Sequence, residues 1–151
     1  MTNKPESHFI SEGMWHSDKP AIQQELANRL AELMFVLPDA QGTLDYIRAF
    51  HWTILKEWHS IDKLRLDKFY SLIRFLVFHS FKFLASKKWK LELAEKLAQI
   101  LIDLPLNTAR KPEVLVSPGV AFHLADIYVD ELEKACKGAQ DVTTTNCPLN
   151  C

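Results

Sequence analysis

Glycine is scarce in this chain, with four residues in 151. Neither a Walker loop nor a dinucleotide-binding glycine fingerprint occurs, so nucleotide chemistry of those kinds is not expected. Excess charge of one sign is also missing: 18 basic residues face 19 acidic ones. A nucleic-acid site would therefore have to come from local segregation of charge. Long apolar runs are absent too. Lys, Arg or Asp interrupts each one before it could span a bilayer, and Met1-Thr-Asn-Lys-Pro-Glu-Ser-His8 has no apolar signal core. The chain is expected to stay on the cytosolic or nuclear side of membranes. The three cysteines, Cys136, Cys147 and Cys151, crowd one end. That is not a disulfide framework, and Cys147 and Cys151 lack a second ligand pair for zinc, so free thiols in a flexible tail are expected.

Chemistry-bearing patterns are equally thin. The histidines His8, His16, His51, His59, His79 and His123 form neither His-x₃-His nor His-Glu-x-x-His. Ser60, Ser71 and Ser80 have no elbow motif around them. No catalytic residue, metal, cofactor or small-molecule substrate is expected, and the chain does not read as an enzyme.

What is present is a helical, globular pattern. Hydrophobic residues make up 48% and charged ones 25% of the sequence, enough for one domain with its own core. Five helices can be traced. The first starts at an Asp18 N-cap followed by Pro20, with Ile22, Leu26, Leu30, Leu33 and Leu37 as its stripe, and Pro38 stops it. The second starts near Asp39 or Thr43 and carries Leu44, Ile47, Phe50, Ile54 and Trp58. The third, capped by Asp62, runs to about Ser86 and is apolar nearly all round, which marks a central helix packed on several sides. The fourth spans Lys88 to Asp103. After a loop from Leu106 to Val116, Ser117-Pro118 opens the fifth, which turns Val120, Leu124, Ile127, Tyr128 and Leu132 inward and ends at a Gly138 C-cap. The expected fold is all-α: antiparallel helical hairpins, forming either an α-solenoid fragment or an irregular helical bundle. No internal repeat decides between them. Residues 1–13 read as an N-terminal extension, 14–138 as the helical domain and 139–151 as a flexible tail.

Charge does segregate locally. Between Asp62 and Lys90 eight bases (Lys63, Arg65, Lys68, Arg74, Lys82, Lys87, Lys88 and Lys90) face two acids, Asp62 and Asp67. The fifth helix is acidic instead, with Asp126, Asp130, Glu131 and Glu133 against Lys134 and Lys137. A basic surface beside an acidic one suits a protein held between RNA and protein partners. The plainer account is a solvated helix face with acids and bases paired at i,i+4. The aromatics Trp52, Trp58, Phe69, Tyr70, Phe75 and Trp89 could stack on bases, but at helical spacing they read as core. Trp89, among three lysines at a helix start, is the exception.

The block Ile61-Asp-Lys-Leu-Arg-Leu-Asp-Lys-Phe-Tyr70, with Met14-Trp-His-Ser-Asp-Lys-Pro20 before it and Gly119-Val-Ala-Phe-His-Leu-Ala-Asp-Ile-Tyr-Val-Asp-Glu-Leu132 after it, resembles the eukaryotic ribosomal RNA-processing protein 1 family. The similarity runs in order from about Gly13 to Lys137. It implies a HEAT-like helical domain in a short or truncated member of that family. It also implies a non-enzymatic scaffold of pre-60S particles in the nucleolus, touching pre-60S assembly factors and pre-ribosomal RNA. Lys63, Arg65, Lys68, Arg74, Lys87, Lys88 and Lys90 are the candidate contacts to RNA or a partner, with Arg65, Lys68 and Arg74 placed first. The alternative is a protein-binding helical adaptor that contacts no RNA.

Overall fold

The computed structural model describes residues 13, 14, 16, 18–108, 110, 112–114 and 117–140. Of the expected extension at 1–13 and tail at 139–151, residues 1–12 and 141–151 lie outside the described residues. Helices follow in the order α1 (Pro20–Glu32), α2 (Ala40–Glu57), α3 (Leu66–Ser86), α4 (Leu91–Asp103) and α5 (Pro118–Gln140). No strand occurs among the described residues.

Local chemistry explains most of the boundaries. Pro20 sits in the first turn of α1, where its missing N–H costs nothing. Lys19 rather than Asp18 is the N-cap, and no side chain caps that end. Asp39 caps α2, accepting the Gly42 N–H at 2.6 Å. Ser117 caps α5 through a Val120 N–H bond to its Oγ at 3.4 Å. Two expected helices begin late. A 3₁₀ turn at Lys63–Arg65, closed by the Arg65 N–H on the Asp62 carbonyl at 2.9 Å, precedes α3 and leaves Leu64 92% exposed. The fourth helix starts at Leu91 because Lys88 and Trp89 both adopt positive φ, 57° and 53°.

Two further expectations are corrected. The first helix does not continue to Leu37: it tightens into a 3₁₀ turn at Leu33–Val36. The tighter winding rotates the apolar stripe, so Met34 is buried while Leu33 and Leu37 are exposed. Gly138 does not end α5, which continues to Gln140; an added Cβ there would meet nothing, so no tight cap is formed.

The packing decides between solenoid and irregular bundle. α3 lies between α1 and α5, while α2 packs on α4. Lys68 reaches Met14 and His79 meets Asn28, so α1 and α3 run in the same direction. Tyr70 meets His123 and Phe81 meets Tyr128, so α5 runs that way too. One layer is therefore α1–α3–α5 and the other α2–α4, the arrangement of stacked helical hairpins in an α-solenoid. Within the first hairpin, Tyr46 Oη donates to the Leu30 carbonyl at 2.6 Å and Thr43 Oγ1 to the Met34 carbonyl at 3.1 Å.

The nearly all-apolar sequence of α3 matches its central place. Leu72, Ile73 and Leu76 are fully buried, each worth about 1.5–3 kcal/mol of transfer free energy. Trp58, Tyr70 and His123 stack in a chain that joins the end of α2 to α3 and α5, with centroids 5.1 and 4.6 Å apart. After α4, Asn107 is buried and its Nδ2 donates to the Val114 carbonyl at 3.4 Å, with Val114 in the core.

Candidate functional site

The bases grouped by the sequence do not form one surface. The 21 residues of α3 span about 30 Å, which places Lys63 at one end and Lys87, Lys88 and Lys90 at the other. The three bases placed first for RNA contact are all engaged within the protein. Arg65 lies 3.8 Å from the Asp62 carboxylate. The Lys68 side chain is only 10% exposed; its Nζ donates to the Met14 carbonyl at 3.3 Å and lies 4.0 Å from Asp18. Arg74 donates through Nε to Glu131 at 2.7 Å and lies 3.7 Å from Asp130. Lys68 ties α3 to the N-terminal segment and Arg74 ties it to α5.

The α3–α4 corner is different. Lys87, Lys88 and Lys90 are exposed and enter no ion pair among the described residues. Lys90 adds a small pull to Glu92, whose carboxyl is held below the usual range first by its hydrogen bond to Lys96 and then by the Lys96 charge. The backbone makes this corner sharp. Lys87 N–H bonds back to the Phe83 and Leu84 carbonyls, Lys88 to Ala85 and Trp89 to Leu84, so the carbonyls at the end of α3 are satisfied. Two successive non-glycine residues at positive φ cost about 1–2 kcal/mol each. Trp89, half-buried against the core, offsets part of that cost. With Trp89 turned inward, the lysines around it are left in solvent; Lys87 and Lys88 lie next to the negative end of the α3 dipole, which favours them.

The other candidates mostly belong to the core. Phe69 and Trp58 are buried, Tyr70 belongs to the chain of ring contacts, and among the described residues Trp52 is the tryptophan most open to solvent at 42%. Burial drives the His51 pKa down to about 4. Burial also lowers His79, helped by Lys82 and opposed by Glu32. His123 is lowered by burial against the hydrogen bond that its Nε2 donates to the Tyr70 carbonyl at 3.0 Å. Among the described residues no cluster of His, Cys, Asp or Glu could hold a metal ion, and no helix is long and apolar enough to cross a membrane. Cys136 is disulfide-bonded, where no disulfide framework was expected; Cys147 and Cys151 lie outside the described residues.

Sequence reasoning missed the role of Glu131. It lies on the buried stripe Val120, Leu124, Ile127, Glu131 and Ala135 of α5, where Tyr128 and Leu132 had been expected. A carboxylate at a core position is the signal that would have flagged it. Its Oε1 accepts from both Arg74 and Lys134, the latter at 2.8 Å.

Two layers of stacked helical hairpins, with lysines at one corner, define an all-helical array protein. The chain belongs to the family of the nucleolar protein Nop52, whose sequence profile it matches over residues 13–149. It is 38% identical over 121 residues to ribosomal RNA processing protein 1 homolog B of Homo sapiens, which covers 80% of this chain and 15% of that protein. It is 35% identical over 130 residues to homolog A of Mus musculus, covering 86% and 25%. With the Caenorhabditis elegans homolog it shares 30% over 128 residues, covering 85% and 30%. The chain thus spans less than a third of the length of these relatives.

Proposed function

We propose that this chain is a helical scaffold of ribosome biogenesis. It acts in the nucleolus, within pre-60S particles, alongside assembly factors and pre-ribosomal RNA, and it supports processing of the large-subunit RNA precursor. Family membership across most of the chain carries this reading. The corner formed by Lys87, Lys88 and Lys90 is the RNA contact, because its three charges are exposed and unspent on internal pairs. Lys63, isolated at the far end of α3, adds a second, weaker contact. Lys68 and Arg74 contribute by holding the helices together, and Arg65 by its pair with Asp62 at the start of α3.

Three phosphate contacts on a single strand give a log–log salt slope of about −2. Filter binding of a pre-ribosomal RNA spacer to the chain should show that slope, and Lys87→Glu with Lys88→Glu and Lys90→Glu should abolish binding. The protein-adaptor reading is favoured by one observation: Phe122 and Val129 are 76% and 60% exposed on the outer side of α5. It predicts that the triple reversal changes nothing in pre-60S association. That result, or RNA binding indifferent to salt, would remove the RNA contact from the proposal.

A further inference from the structure

The outer face of the α1–α3–α5 layer holds a cavity of about 380 Å³ over the middle of α3. Its floor is the half-buried pair Phe75 and Phe78, and Arg74, Glu131 and Lys134 stand at its rim. The polar side is built around a buried acid. The Glu131 side chain is 4% exposed, and its Oε1 accepts from Arg74 Nε at 2.7 Å and from Lys134 Nζ at 2.8 Å. Two cations thus converge on one carboxylate oxygen. A guanidinium has five N–H donors and an ammonium three, and Glu131 uses one of each. Arg74 and Lys134 are 45% and 57% exposed, so their remaining donors stay accessible beside the aromatic floor. Asp130, at 3.7 Å from Arg74, is beyond hydrogen-bond reach.

We propose that this cavity docks a protein segment that presents an Asp or Glu side chain beside a large apolar one. The incoming carboxylate takes the spare donors of Arg74 and Lys134, and the apolar side chain rests on Phe75 and Phe78. Glu131 is a positioning residue that holds both cations at the rim. A space of this size suits one large side chain and its polar neighbour.

Charge does not favour a nucleic-acid backbone here. Arg74 and Lys134 are balanced by Asp130 and Glu131, so the rim has no net charge to draw a polyanion. A single carboxylate needs only the local, charge-assisted donors. The inference goes beyond the RNA reading and does not depend on the lysine corner, which lies at the far end of α3.

The test uses the full ¹⁵N-labelled chain and two capped peptides, acetyl-Glu-Phe-Leu-amide and acetyl-Gln-Phe-Leu-amide. The Arg74 Nε–H and the backbone amides of Phe75 and Phe78 should shift saturably with the Glu peptide. The Gln peptide should bind about tenfold more weakly, because it cannot form the charge-assisted bond. Lys134→Gln, which leaves the Arg74–Glu131 pair in place, should weaken the Glu peptide and leave the Gln peptide unchanged. Equal binding of the two peptides, or no shift at these three resonances, overturns the proposal. A stronger response to oligouridylate than to the Glu peptide also overturns it and assigns the cavity to phosphate.

Discussion

His51 offers the most exacting test of the packing. It lies on α2, 1% exposed, with Nε2 lacking any hydrogen-bond partner, and burial lowers its pKa from 6.5 to about 4. In the unfolded chain the same imidazole titrates near 6.5. As pH falls below that value, the unfolded state binds a proton that the folded state refuses. Stability is therefore intact above about pH 6.5 and is lost as pH falls through the window down to about 4. A separation of roughly 2.5 pKa units at about 1.4 kcal/mol each makes the loss about 3 kcal/mol at the lower end. Urea unfolding across this window measures it. Carboxylates titrate in the lower half of the window, so the informative quantity is the difference between the natural chain and His51→Leu, which removes the imidazole and keeps the site apolar. The variant should lose up to about one proton's worth of pH dependence, about 1.4 kcal/mol per pH unit in the middle of the window. Identical slopes for the two proteins would refute the buried, neutral state of His51.

Other perturbations probe the joints between helices. Gly119→Ala places a Cβ 2.8 Å from Tyr70 Oη, so it should cost about 1–3 kcal/mol through overpacking and lower the thermal midpoint. Leu76→Ala, at a fully buried position of α3, should cost about 2–5 kcal/mol in the same melting assay. Arg74→Met leaves Glu131 with Lys134 alone and should cost about 1–3 kcal/mol, a buried-pair loss reduced for the half-exposed guanidinium. Leu64→Ser, at a residue 92% exposed, should change stability by less than about 0.5 kcal/mol and serves as the control.

The helices were legible in the sequence because each carries an apolar stripe at helical spacing, and several are bounded by proline or a capping residue. Asp39 and Ser117-Pro118 signal their helix starts directly, and both act as caps in the structure. The central place of α3 was legible from its nearly continuous apolar circumference. The start of α4 was not, because the turn uses Lys88 and Trp89 at positive φ, and sequence alone offers no glycine to mark such a turn. The 3₁₀ turns at Leu33–Val36 and Lys63–Arg65 were hidden for a related reason: a change from 3.6 to 3.0 residues per turn leaves composition untouched but moves side chains to a different face.

The candidate site shows the division most clearly. By itself the sequence determined that this protein is helical, that its third helix is central and that its bases concentrate between Lys63 and Lys90. Only the tertiary structure decided which of those bases remain available. Lys68 and Arg74 meet acids 50 or more residues away along the chain, and Lys87, Lys88 and Lys90 do not. Charge density along a sequence is one-dimensional, whereas an ion pair forms wherever packing brings two side chains together. The docking of α1 and α5 against α3 therefore engaged Lys68 and Arg74 and left Lys87, Lys88 and Lys90 at its end to solvent.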